Sequence, residues 1–177
     1  NIIEQQTVLI TERIENTING LPVAAFTNES LRAGSKVSID VGADATFIGL
    51  TRATGSTGTV FVRAGRDVIL DGKAVSGADA GTLAAVADLR AGLSVDVYGG
   101  RDVQLRSDAV LRADDGNPST NTGVIKLHAG NTLTVQSDAF GGHEIYLLSD
   151  GDVLMKSQMT SGHLIDVRAG LGPAGVG

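Results

Sequence analysis

A chain of 177 residues and 18.1 kDa suffices for one domain and scarcely for two. Its 42% hydrophobic content permits a core and excludes wholesale disorder, while the formal charge of −6 argues against nucleic acid as the main partner. Without Cys there is neither a disulfide framework nor a thiolate metal site, and no apolar run approaches the ~18 residues of a membrane-spanning helix.

Residues 1–30 hold an alternating run, Thr7-Val8-Leu9-Ile10, and a turn at Asn19-Gly20-Leu21-Pro22. They lie outside the repeat that follows and are expected to be an N-terminal cap or an arm that exchanges with a neighbouring molecule. Opening at Asn1 without Met or a leader is what a processed product or a piece of a longer chain would show.

From residue 31 onward the apolar residues are mostly β-branched or Leu in short alternating runs, such as Val60-Phe61-Val62 and Val95-Asp96-Val97. Period two is strand chemistry. The best helix candidate, residues 81–87, is short and runs straight into a strand pattern. Small turn pairs end at Gly34, Gly65, Gly92, Asp108, Gly130, Asp150 and Gly170. Three residues before each stands an aliphatic residue: Leu31, Val62, Leu89, Leu105, Leu127, Leu147 and Val167. The spacings between these corners are 31, 27, 16, 22, 20 and 20 residues. Two short strands per unit of about 20 residues suit one rung of a solenoid, whose rungs stack at about 4.8 Å. The expected fold is therefore all-β, a single-stranded parallel β-helix (β-solenoid) of about seven rungs over residues 31–177. On that reading Leu31, Val62, Leu89, Leu127 and Val167 line a single column. Bulging loops are expected at residues 41–56, 73–80 and 114–121, with a β-sandwich as the rival architecture. The register reaches Arg168-Ala169-Gly170 and then stops without a polar cap, so the solenoid is expected to continue, or to dock, beyond residue 177.

The segments Ala64-Gly65-Arg66-Asp67-Val68-Ile69-Leu70, Gly99-Gly100-Arg101-Asp102-Val103-Gln104-Leu105 and Ala129-Gly130-Asn131-Thr132-Leu133-Thr134-Val135 resemble the β-helical repeats of filamentous-haemagglutinin-like proteins. Those are large bacterial surface adhesins and exoproteins. The resemblance implies an extracellular or cell-surface segment with a structural or adhesive role and no catalytic residues. The alternatives are a subunit of a filament stacked end to end, and a β-helix enzyme that binds or cleaves polysaccharide.

Fifteen Asp against five Glu suit turns, because Asp accepts hydrogen bonds from nearby backbone amides. Asp67, Asp96, Asp102, Asp108, Asp150 and Asp152 are accordingly read as turn formers rather than a catalytic pair. No cofactor is expected. Asp150-Gly151-Asp152 and Asp114-Asp115-Gly116-Asn117 offer oxygen ligands for Ca²⁺ without matching a known loop spacing. His143 and His163 occupy the same repeat phase, which stacks them about 5 Å apart as a candidate metal pair or pH-sensitive contact. Two positions before the corners stand Arg32, Arg63, Arg90, Arg106 and Arg168, expected to form one outward basic stripe. An anionic polysaccharide, a host or cell surface, or another copy of the chain would suit that stripe. Phe61, Ile69, Tyr146, Leu148 and Leu154 fall in outward slots and mark a packing surface.

Overall fold

The computed structural model describes residues 2–12, 17–18, 21–22, 25–53, 57–71, 88–106, 109–113, 122–170 and 172. Alternation dictates the strands. On Thr59–Ala64, Val60, Val62 and Ala64 are buried while Phe61 and Arg63 face solvent, and Ser94–Gly99, Val124–Ala129 and Glu144–Ser149 repeat that pattern. No helix occurs among the described residues. All pairings of the main sheet are parallel, and one small antiparallel hairpin joins Thr17–Ile18 to Leu21–Pro22. Parallel pairing excludes the β-sandwich, which is built from antiparallel sheets.

The strands fall into three ladders. In the first, Val37, Val60, Val95, Ile125, Ile145 and Ile165 pair in one row, and Ile39, Val62, Val97, Leu127, Leu147 and Val167 in another. The second aligns Ala45, Val68, Val103, Leu133 and Val153 beside Phe47, Leu70, Leu105, Val135 and Met155. The third aligns Leu31, Thr51, Leu89, Leu111, Ala139 and Met159 beside Ala33, Ala53, Ala91, Ala113, Gly141 and Ser161. The polypeptide visits the three in rotation. Successive passes reach the first ladder at residues 37, 60, 95, 125, 145 and 165, so the passes are 23, 35, 30, 20 and 20 residues long. Buried residues from all three ladders belong to one apolar cluster, with Phe47, Leu70, Leu111, Leu127 and Leu147 fully enclosed.

This arrangement corrects the single-corner repeat. Gly65, Gly130 and Asp150 follow the first ladder, whereas Gly34 and Gly92 follow the third. The five aliphatic residues therefore divide: Val62, Leu127 and Val167 share the first ladder, and Leu31 and Leu89 the third. Within the bulge expected at residues 41–56, Asp44–Ala53 instead forms a strand serving two ladders, and residues 54–56 lie outside the described residues. The loops expected at 73–80 and 114–121 and the helix candidate at 81–87 lie outside the described residues. Within residues 1–30, Ile2–Glu12 pairs in parallel with Ala25–Val41, placing Val8 beside Val37 and Ile10 beside Ile39.

Candidate functional site

The corner after the first ladder carries a chain of struts between passes. Arg66 grips Asp44 with two bonds, Nε to Oδ1 at 3.0 Å and Nη2 to Oδ2 at 2.6 Å. Arg101 grips Asp67 in the same bidentate way, and Asn131 Nδ2 donates to Asp102 Oδ1 at 2.9 Å. Each aspartate also accepts a backbone N–H from the next pass: Asp67 to Asp44 at 3.2 Å, Asp102 to Asp67 at 3.3 Å and Thr132 to Asp102 at 3.1 Å. The Gly-Arg-Asp triplets thus act in series, each supplying an arginine to the pass before and a carboxylate to the pass after. Among these carboxylates Asp67 is 8% exposed. The Arg101 guanidinium holds its carboxyl below the usual range, against a smaller opposing effect of burial.

A depressed carboxyl stabilises the fold above its unfolded pKa, and that contribution disappears as pH falls through the folded value. Asp67→Asn is therefore expected to lower stability by about 1–3 kcal/mol at pH 7. The gap from wild type should narrow below about pH 3.8, the ordinary value for Asp. Denaturant titrations at pH 7 and pH 3 measure both effects; equal midpoints at pH 7 would remove the strut from the account.

The outward side of the first ladder collects the rings. One row holds Phe61, Asp96, Lys126, Tyr146 and Asp166; the neighbouring row holds Arg63, Tyr98, His128, Leu148 and Arg168. Arg63 lies 5.8 Å from the Tyr98 ring centre, Tyr98 meets His128 edge-on at 5.1 Å, and Lys126 lies 5.9 Å from the Tyr146 ring. Ser94, Asp96, Lys126, Glu144 and Tyr146 line a shallow hollow of about 230 Å³ together with Leu93 and Val124. Tyr146 Oη donates to Glu144 Oε2 at 2.6 Å, which raises the phenol pKa and keeps Tyr146 a neutral donor. Ser94 Oγ donates to Asp96 Oδ2 at 2.9 Å. The hollow can therefore offer a ring face, an ammonium and hydrogen-bonded carboxylates to a polar ligand. The alternation signalled Tyr146 but not the convergence of Asp96, Lys126 and Glu144, which depends on strands 20 to 30 residues apart.

The expected arginine stripe is divided among three places. Arg63 and Arg168 lie on the first ladder, where Arg168 is bound by Asp166 Oδ2 at 2.6 Å. Arg106 leaves the second ladder and pairs with Asp71 at 2.7 Å. Arg32 and Arg90 align on the third ladder with Arg52 and Arg112, which the corner pattern missed. Among the apolar candidates, Phe61 is 36% and Leu154 51% exposed, and Leu154 shares the second ladder with Thr134. The surface candidates are thus divided: Phe61, Arg63, Tyr146, Leu148 and Arg168 share the first ladder, Ile69 and Leu154 lie on the second with Arg106 just beyond it, and Arg32 and Arg90 lie on the third.

His143 and His163 stack with ring centres 4.9 Å apart and planes 6° from parallel. His143 Nε2 lies 3.3 Å from Glu144 Oε1, while its buried Nδ1 has no hydrogen-bond partner. Asp150 Oδ1 lies 3.2 Å from His128 Nε2, and the Asp152 amide donates to Asn131. Among the described residues, no group of three or more His, Asp or Glu side chains is arranged to hold a metal ion. The Asp114–Asn117 loop and Asp108 lie outside the described residues. Neither protein-family models, curated proteins nor solved structures show a match to this chain.

Proposed function

We propose that the chain is a single-stranded parallel β-helix, a three-sided coil closed around one core. It serves as a non-catalytic structural or adhesive segment of a secreted bacterial surface protein. One observation carries the reading: the polypeptide rotates through three parallel ladders whose buried residues join one apolar cluster. Such a body is lengthened by adding passes and offers each outward row as a repetitive surface. Its corner carboxylates Asp44, Asp67 and Asp102 serve as struts between passes, which accounts for them without catalysis. The extracellular setting rests on the likeness to filamentous-haemagglutinin-like repeats.

Hydrogen exchange tests the closed coil. Amides of Val62, Leu70 and Leu111, one from each ladder, are expected to be protected to the same degree, because all open only when the coil opens. Fast exchange confined to one ladder would show an open sheet. Incubation with neutral and acidic polysaccharides is expected to release no new reducing ends, and turnover would overturn the non-catalytic role in favour of a polysaccharide-cleaving β-helix.

A second reading, end-to-end self-assembly, draws on the last described pass. Met155, Ile165 and Val167 are 42%, 41% and 44% exposed, whereas their row partners Val135, Ile145 and Leu147 are fully buried. Among the described residues Leu164–Arg168 pairs along one edge only, and an apolar row at such an edge accepts another strand layer. Light scattering over a concentration series reads this directly, and a mass that stays constant would remove it.

A further inference from the structure

We infer that the outward side of the third ladder is a binding surface for a linear polyuronate, a polysaccharide carrying one carboxylate on each sugar. The inference rests on the adhesive reading above for its purpose, and on strand register alone for its site. Register places Arg32 beside Arg52, Arg52 beside Arg90, and Arg90 beside Arg112, one arginine on each of four consecutive strands. Four of the chain's 14 basic residues thus share one row of a protein whose net charge is −6. The row two positions earlier reads Ser30, Leu50, Asp88 and Val110, so these two rows together hold four arginines and one acid. Thr51 and Ala53 are buried on either side of Arg52, and Leu111 and Ala113 on either side of the exposed Arg112. Alternation therefore turns these two arginines away from the core.

Like charges repeated at about 4.8 Å repel, and an anion bridging them reverses the sign of that term. A guanidinium has five N–H donors in a fork that fits a carboxylate, so a partner within the protein does not exhaust it. Successive sugars of an extended polyuronate turn to opposite sides, so carboxylates on one face recur at about twice the strand interval and match alternate members of the row, such as Arg52 and Arg112. Single-stranded nucleic acid suits the row less well, because its bases need a series of stacking rings. Here the next position on the row is a single aromatic, Phe140, already covered by Arg112 with 5.0 Å between guanidinium and ring centre.

Titration calorimetry with polygalacturonate oligomers at low salt tests the site. Binding is expected to weaken steeply as salt rises. R52Q and R112Q should each lose about two- to fivefold in affinity, and the double variant more. K156Q removes an equal charge at an exposed position off the row and should bind like wild type. Unchanged melting of R112Q, whose residue is exposed, guards against a folding artefact. Absence of binding, an equal loss in K156Q, or equal affinity for methyl-esterified polymer or oligo-dT would each overturn the proposal. Hydrogen-exchange protection of the three ladders is read separately, so failure of the row is distinguishable from failure of the coil.

Discussion

Leu127→Ala is expected to cost about 2–5 kcal/mol, enough to lower the midpoint of thermal unfolding by roughly 5–15 °C in a chain of this length. The residue is fully buried and stands in the middle of the first ladder, between Val97 and Leu147 in its row. Its core neighbours are held by backbone pairing on both sides, so they cannot collapse far into the space left behind. Most of the cavity therefore persists, which places the cost toward the upper part of the range. Leu154→Ala supplies the contrast. Leu154 occupies an outward position and is 51% exposed, so its truncation should shift stability by about 0.5 kcal/mol or less. Guanidinium titration distinguishes the two, provided the slope of the transition is unchanged. Equal costs for Leu127 and Leu154 would contradict the assignment of inward and outward rows.

Which face of each strand is buried was legible in the sequence, and the number of ladders was not. Alternation separates Val60 and Val62 from Phe61, and the same rule holds at Ile145, Tyr146 and Leu147. It is a local property of extended backbone and needs no knowledge of the partner strand. The 20-residue passes at the end were legible too: His143 and His163, placed about 5 Å apart by phase alone, have ring centres at 4.9 Å. Earlier passes of 23, 35 and 30 residues broke the phase, and the corners offered little to restore it. Gly34 and Gly92 end the third ladder with the same small-turn chemistry that Gly65 and Gly130 use after the first.

The arginine row was hidden by the same ambiguity. Leu31-Arg32-Ala33, Thr51-Arg52-Ala53, Leu89-Arg90-Ala91 and Leu111-Arg112-Ala113 lie on the third ladder, yet Val62-Arg63-Ala64 has the same form and lies on the first. A Leu, Thr or Val, an arginine and an alanine make an equally good end to a strand in any ladder. Only pairing between strands tells the two groups apart, and pairing is a long-range property. The hollow at Tyr146 escaped for the same reason, since Asp96, Lys126 and Glu144 come from three different passes.

Gly100→Ala is expected to be among the most damaging single changes, costing about 3 kcal/mol or more although it adds one carbon. A Cβ at Gly100 would stand 2.2 Å from the Gly65 carbonyl oxygen and 2.9 Å from its carbonyl carbon. Both are backbone atoms, and the spacing between passes is fixed there by Gly65 N–H donating to Val41 O and Gly100 N–H to Ala64 O, each at 2.9 Å. Relief therefore requires two passes to separate and weaken these bonds. Gly65 stands in the same relation to Gly42, and Gly130 to Gly100, each with 2.2 Å available. Where Asp150 takes the equivalent place, the tight contact moves one residue on, to Gly151 over the Asn131 carbonyl at 2.3 Å. Gly65, Gly100, Gly130 and Gly151 are thus required for space, not for a left-handed backbone. Gly170 shows the opposite case, with φ of +66° and nothing within 4 Å of an added Cβ. Gly170→Ala should cost only the ~1–2 kcal/mol of a left-handed non-glycine residue. Denaturant midpoints of the two alanine variants compare crowding with backbone strain, and a Gly100 variant no less stable than the Gly170 one would refute close stacking of the passes at this corner.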